Sequence, residues 1–367
     1  MEIQALRVAR LVVTPMAMNE RIERLTMADV NERAFDEIID VRAPEEYAVD
    51  HVTGAINLPV LDNDERIRVG TLHAQVSAFE AKKVGASLVS SNIACHLKDH
   101  FAKYGKTYRP LVYCWRGGQR SRSLATVLCE VGWRPAILDG GYKAYRAHVM
   151  EGLGVSEKMH WRVLNGLTGS GKTLVLHALA ERGAQVLDLE GLANHRGSAF
   201  GNLGLPPQPG QKMFEALLWD ELRKIPRDAY VLAEGESRHI GRVALPPRFY
   251  KSLQIETSIW MNTSLEARVR NILADYPAVD KLKNEFVQPI KALKDKLGKE
   301  TMNHYLQLLE EGNWTELVGE LMVNYYDPLY RHTLPERRVE IDLEPENTVM
   351  VRIEAVVAEV LEKSSGN

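Results

Sequence analysis

Gly166-Leu-Thr-Gly-Ser-Gly-Lys-Thr173 decides how the second half of the chain is read. It fits G-x-x-x-x-G-K-[ST] in full, and it follows an apolar run that begins near Trp161 and precedes a helical pattern. Glycines at 166, 169 and 171 let the backbone curl until its N–H groups point at an anion, with Ser170 completing the curl. The first turn of the following helix adds partial positive charge. Lys172 supplies a mobile cation for terminal phosphate oxygens, and Thr173 a hydroxyl suited to a Mg2+ ion. A phosphate-binding site is therefore expected at residues 166–173. Nucleotide hydrolysis would also need an acidic metal ligand at a strand end. Asp188 in Val186-Leu-Asp-Leu-Glu190 and Glu234 in Val231-Leu-Ala-Glu234 are candidates, and each can equally be a solvated strand end.

Working outward, apolar runs at 185–189, 230–233 and 256–261 read as further strands, and 338–343 as a late one. Residues 264–325 turn helical and lysine-bearing, and 348–363 reads as a closing amphipathic helix. Upstream, strands are expected at 37–41, 55–58, 111–114 and 136–138, with helices at 121–131 and 142–151 and a mostly helical segment over 63–106. Strand–helix alternation of this kind predicts parallel sheets covered by helices, an α/β class in both halves. The polar, glycine-bearing stretch 151–158 marks the boundary between domains at 19–151 and 159–367. Residues 1–18 form an N-terminal extension, read as a tail or as an upstream start preceding Met16 or Met18.

A second chemical site lies in Leu111-Val-Tyr-Cys-Trp-Arg-Gly-Gly-Gln-Arg-Ser-Arg122. Cys114 ends a buried strand, and Arg120 opens a helix. A thiol at such a junction faces backbone N–H groups and a helix N-terminus, both of which favour the thiolate. Arg116 and Arg120 add positive charge, while Gly117 and Gly118 permit a tight loop. The arrangement suits a cysteine that carries an extra chalcogen atom as an anion. The other cysteines, Cys95 and Cys129, read as core residues.

The bulk composition limits the partners. The chain has 367 residues, 45% apolar and 26% charged, ordinary for a soluble globular protein. No apolar run approaches the roughly 20 residues that span a bilayer, so no membrane partner is expected. Three cysteines make no disulfide framework, which fits a cytoplasmic location. No zinc-type ligand spacing is present, and no metal site is expected. The net charge of −3 divides into +2 over residues 1–150 and −5 over the remainder, so charge alone does not argue for nucleic acid.

Three stretches of the first half resemble a rhodanese domain: Ile39-Asp-Val-Arg-Ala-Pro-Glu-Glu-Tyr47, His51-Val-Thr-Gly-Ala-Ile-Asn-Leu-Pro59 and Asp139-Gly-Gly-Tyr142. The cysteine loop stands among them in the expected order. Its Cys-x5-Arg spacing is one residue longer than in common sulfur-transferring rhodaneses and matches phosphatases of the same fold. A wider ring of N–H donors would admit a larger anion. A rhodanese domain followed by a P-loop NTPase-like domain with helical additions resembles the bacterial tRNA 2-selenouridine synthases. The likeness extends to Asn57-Leu-Pro59, Asn63-Asp-Glu-Arg66, Val69-Gly-Thr71, residues 187–198, Glu236-Ser-Arg238 with Ile240-Gly241, and Tyr325-Tyr-Asp-Pro-Leu-Tyr330.

That resemblance implies a tRNA substrate with 2-thiouridine at the wobble position. Its sulfur would be geranylated from geranyl diphosphate and then replaced by selenium from selenophosphate. The loop at Lys172 and Thr173 would hold the diphosphate, and Cys114 would carry or present selenium with Arg116 and Arg120 beside it. His195, Arg196, Arg238 and His239 would contact diphosphate or RNA phosphate, although capping roles fit them as well. Lysines 281, 283, 291, 294, 296 and 299 would offer a backbone-contacting face, with a solvated helix face as the plainer reading. No resident cofactor is implied beyond Mg2+. The competing readings are a phosphate-loop kinase or nucleotidase with a sulfur-sensing rhodanese module, and a nucleotide-gated docking protein.

Overall fold

A computed structural model describes residues 22–235, 237–255, 258–276, 279–330 and 338–343. The N-terminal extension, the helix expected over 348–363 and Glu236 lie outside the described residues. Internal contacts divide the chain between His148 and Val149.

The first unit is built on a five-stranded parallel sheet. Its strands are β1 (Glu23–Leu25), β2 (Glu37–Asp40), β3 (Ile56–Asn57), β4 (Pro110–Tyr113) and β5 (Ala136–Leu138), in the spatial order β1-β5-β4-β2-β3. β4 is central and buried along its whole length, so the residue that follows it, Cys114, emerges mid-sheet at the carboxyl edge. Helix Gln119–Val131 then packs Leu124, Ala125 and Leu128 onto the sheet and stops at Gly132, whose φ of 108° closes the turn back to Leu128 and Cys129. The segment expected to be helical over 63–106 is a pair, Asn63–Gln75 and Ala78–Asp99, followed by a 3-10 turn. The Asn63-Asp-Glu-Arg66 stretch begins the first of these: Asp62 and Glu65 form a reciprocal capping box.

Cys95 corrects an expectation. It is exposed, not core. Its helix buries Ala81, Gly85 and Ile93, and a residue two positions after Ile93 is turned about 200° around the axis. Cys129 is half-buried against Ile22, Ala125 and Ile137.

A buried ion pair ties β2 to the loops that follow it. Arg42 and Asp40, 1% and 0% exposed, meet at 2.5 Å. The guanidinium also donates to the Asp50 carbonyl at 2.7 Å, and Asn57 donates to the Asp40 and Arg42 carbonyls. Removing one partner of such a pair strands a buried charge, at a cost of about 3–5 kcal/mol.

The second unit opens with a 3-10 helix, Leu153–Lys158, in which Leu153 and Ser156 are buried and Ser156 accepts from the Trp161 indole. The stretch read as a polar boundary is thus folded structure. Its parallel sheet comprises β6 (His160–Asn165), β7 (Gln185–Leu187), β8 (Tyr230–Glu234), β11 (Ser258–Thr263) and β12 (Arg338–Leu343), in the order β12-β11-β6-β8-β7, while β9 (His239–Ile240) and β10 (Val243–Ala244) form a small hairpin. The chain goes to one side of β6 for β7 and β8 and to the other for β11 and β12. The carboxyl end of β6 is therefore a switch point, where open α/β sheets bind ligands. The helical region after β11 has its own core around Phe286, Ile290, Tyr305, Leu309, Trp314 and Leu317.

Asp139-Gly-Gly-Tyr142 backs the cysteine loop at close quarters. Tyr142 N–H donates to the Cys114 carbonyl at 2.8 Å and Lys143 N–H to the Trp115 carbonyl at 3.1 Å. Gly141 sits at φ 58°, and a Cβ there would overlap the Cys114 carbonyl and the Gly117 nitrogen. Gly141→Ala should destabilise the protein by about 3 kcal/mol or more in urea titrations. Gly105→Ala, where a Cβ meets nothing within 4 Å, should stay within about 0.5 kcal/mol of the parent.

Candidate functional site

The cysteine loop encloses its sulfur. Cys114 is 3% exposed. Its Sγ accepts from Gly118 N–H at 3.2 Å and from the Ser121 hydroxyl at 3.3 Å. Burial works against the thiolate. The Ser121 hydroxyl and N–H, the Arg116 N–H and the Arg120 charge together outweigh it and hold the thiol below its ordinary range. Ser121 is a site residue that the sequence reading quoted but did not single out. It lies seven residues beyond the cysteine in sequence and reaches the sulfur because the loop folds back.

Arg120 is present at the loop but already engaged. Its guanidinium pairs with Glu46 at 2.7 Å, both half-buried, and Arg66 approaches the same carboxylate at 3.5 Å. Burial would raise the Glu46 carboxyl, but the Arg120 pair, the Ala43 N–H and the Arg66 charge override it and hold it below the usual carboxylate range. Arg116 is exposed on the loop. Gly117, at φ 64°, leaves no room for a Cβ, which would lie 2.7 Å from the Leu138 carbonyl.

In the second unit the 166–173 loop joins β6 to helix Lys172–Glu181. Gly169 and Gly171 take φ of 78° and 89°. Two side chains from helix Leu265–Asp275 lash the loop: Arg268 donates to the Thr168 carbonyl at 2.8 Å, and Asn271 to the Gly169 carbonyl at 2.9 Å. Arg268 is 3% exposed and is held by Asp327 at 2.6 Å. Lys172 is buried and donates to the Gly166 carbonyl at 3.2 Å. Ser170 is buried, and its hydroxyl has no hydrogen-bond partner among the described residues.

The loop forms one wall of a cavity of about 190 Å3. Lys172, Thr173, His177, Glu190, Arg196, Asn271, Asp275 and Tyr276 also face it. A second, apolar cavity of about 50 Å3 shares Thr168, Ser198, Ile272 and Tyr276 with the first. Its other walls include Phe200, Phe286, Trp314, Leu317, Met322 and Tyr326. Met322 and Tyr326 bound a π-helical turn, Met322–Tyr326, a geometry that recurs at functional sites.

The remaining sequence candidates fall in different places. Asp188 caps helix Leu189–Leu192, accepting from Gly191 N–H at 2.6 Å, and meets His177 at 2.9 Å. Glu234 is fully buried at the end of β8, beside β6, and accepts from Leu189 N–H at 2.9 Å. Glu190, not Asp188, reaches the loop: Thr173 Oγ1 donates to its carboxylate at 3.4 Å. Arg196 lies 4.4 Å from the Tyr276 ring centroid, on the cavity wall. His195 is buried, with Gly201 and Gly241 packed against its ring. Burial and then the Arg196 charge lower its pKa, so it is neutral near pH 7. Arg238 is exposed and lines neither cavity. Lys283 and Lys296 are engaged with Glu310 and Tyr325. Among the described residues no cluster of three or more His, Cys, Asp or Glu could hold a metal ion, and no helix is long and apolar enough to cross a membrane.

The pH dependence of Cys114 alkylation, measured in a Cys95→Ser, Cys129→Ser background, should have its midpoint below about 8.5, the free-thiol value. Ser121→Ala removes a hydrogen bond to the thiolate and should raise that midpoint. Glu46→Gln leaves the Arg120 charge uncompensated and should lower it. A midpoint indifferent to both changes would rule out this account of the thiolate.

Comparison with known proteins covers most of the chain. The family model described as the tRNA 2-selenouridine synthase AAA domain matches residues 159–358, and the rhodanese-like domain model matches residues 23–148. The tRNA 2-selenouridine synthase of Bdellovibrio bacteriovorus is 34% identical over 345 residues, covering 83% of this chain and 90% of its own. That of Nitrosomonas europaea is 32% identical over 348 residues, covering 82% and 90%. With both models matched and relatives 32–34% identical covering more than four fifths of it, the chain belongs to the tRNA 2-selenouridine synthase family.

Proposed function

We propose that the chain is a transferase that converts the wobble 2-thiouridine of tRNA to 2-selenouridine in two steps. In the first, the base sulfur attacks C1 of geranyl diphosphate, a C–S bond forms, and diphosphate leaves with the electron pair of the broken C–O bond. In the second, the selenium of selenophosphate attacks C2 of the base, a C–Se bond forms and the geranylthio group departs as the thiolate; water then cleaves the P–Se bond and the phosphoryl group leaves as phosphate. Alkylation makes chemical sense as a prelude, since a thiocarbonyl sulfur is a poor leaving group and a thioether sulfur a better one.

The observation that carries this reading is the pairing of a phosphate loop with an apolar cavity. A ligand with a diphosphate head at Lys172 and Thr173 has an apolar wall within reach through Ile272 and Tyr276. That suits a prenyl tail better than a ribose and base, which call for polar contacts. Lys172, the loop N–H groups and Arg196 stabilise charge on the departing diphosphate. A Mg2+ ion would take the Thr173 hydroxyl and the Glu190 carboxylate and complete its shell from phosphate and water, as Mg2+ sites do. At the other site, the Gly118 N–H and Ser121 hydroxyl stabilise negative charge at Cys114, in a loop suited to presenting the selenophosphate anion to the base.

Glu234 favours a second reading. A buried acid at the end of the strand beside β6 is where a nucleotide hydrolase keeps its metal-linked carboxylate. Incubation with thiouridine-bearing tRNA, geranyl diphosphate and selenophosphate, alone and together, separates the two. Nucleoside mass spectrometry should find S-geranylthiouridine with the first donor and selenouridine with both. Lys172→Ala should slow the geranyl step about 100-fold or more. Cys114→Ala should spare that step and abolish selenium incorporation. Unchanged thiouridine together with consumption of ATP or GTP would replace the selenium reading with the kinase one.

A further inference from the structure

A stack of planar groups crosses the first unit and ends beside Cys114. At its inner end is the Arg42 guanidinium, fixed by Asp40. It lies 4.0 Å from the centroid of the Tyr142 ring. Tyr142 is buried, and its hydroxyl donates to Asp50 at 2.7 Å. Trp115 lies on Tyr142 with centroids 5.2 Å apart and planes 29° from parallel. Arg42 and Tyr142 are 1% and 4% exposed, whereas Trp115 is 38% exposed. The stack therefore presents an indole to solvent on a support that cannot easily shift. Its main chain is pinned as well, by the Lys143 N–H on the Trp115 carbonyl.

The surroundings select an occupant. Residues 114–122 hold three arginines and no carboxylate. Glu46 compensates Arg120, while Arg116, Arg122 and the neighbouring Lys143 are exposed. An open aromatic face flanked by cations suits a planar ring with phosphates on either side, which describes a nucleobase in an unpaired stretch of RNA. A buried partner helix would present aliphatic side chains and would not match this charge.

We propose that Trp115 is a stacking platform for the reacting base, which lies splayed out against the indole at the mouth of the cysteine loop. This rests on the RNA substrate of the function proposed above. It adds the residue that holds the base and the loop at which the base is held.

The test uses the full chain and a labelled anticodon stem-loop bearing one 2-thiouridine, followed by fluorescence anisotropy. Trp115→Ala should weaken binding about 5- to 150-fold, the range for loss of one stacked base. Trp115→Phe should recover most of it. A stem-loop abasic at the wobble position should bind the parent as weakly as the intact one binds Trp115→Ala, and combining the two changes should bring no further loss. The Cys114 alkylation rate in Trp115→Ala should match the parent. Undiminished binding by Trp115→Ala overturns the proposal, as does simple addition of the two losses. So does altered Cys114 alkylation, which would make Trp115 a support of the loop. Binding does not need turnover, so failure of the selenium reaction alone would leave this result standing by itself.

Discussion

A chain that leaves a buried parallel strand and turns at once into a helix exposes backbone N–H groups that have no partner within the helix. Both units of this protein are organised by that constraint. After β4 the unpaired donors converge on a sulfur, with Gly118 and Ser121 on Cys114. After β6 they line a cavity in which Lys172 already leans on the Gly166 carbonyl. In both cases the turn requires glycine where a Cβ would strike backbone, at Gly117 and at Gly169. The two turns thus offer N–H donors to the space they enclose for the same geometric reason, and the side chains around each differ.

Neither turn holds its shape unaided. Each is braced by a buried arginine paired with an aspartate. Arg42 and Asp40 anchor the stack beneath Trp115. Arg268, tied to Asp327, grips the Thr168 carbonyl. Guanidinium suits this work because its planar fork satisfies a carboxylate and still has donors left for a carbonyl. The Tyr325-Tyr-Asp-Pro-Leu-Tyr330 segment acquires its physical meaning here. Asp327 holds the arginine that holds the loop, and the π-helical turn before it carries Tyr326 into the apolar cavity.

What the sequence made legible was contiguous. The phosphate loop and the cysteine loop each bring donor, glycine and cation within eight or nine residues, so their chemistry can be read along the chain. Asp139-Gly-Gly-Tyr142 and Asn57-Leu-Pro59 could be recognised but not explained. Their roles, backing the cysteine loop and stitching β2 to β3, depend on contacts across the sheet. Glu46 and Glu190 were missed as site residues because nothing local distinguishes them from other helix-start acids. Asp188 is, with Glu234, a candidate metal ligand because it ends a strand, and its carboxylate caps the next short helix. Cys95 was misread because apolar neighbours in sequence are not neighbours on a helix face.

The Arg120–Glu46 pair shows why a loop built for anions can remain stable without one. An uncompensated guanidinium at the mouth of a half-buried loop would have to stay hydrated, and it would draw the loop open. Glu46 supplies the counter-charge from a different helix, so the arginine is held near the sulfur at little electrostatic cost. A selenophosphate anion arriving beside Cys114 would then compete with a carboxylate for a cation already in position. The exchange replaces one ion pair by another and avoids desolvating an isolated charge. Arg66, the second cation on Glu46 at 3.5 Å, would keep that carboxylate paired if Arg120 turned to the anion. The longer Cys-x5-Arg spacing fits this arrangement, because the arginine must reach both the carboxylate and the incoming anion from one place on the helix.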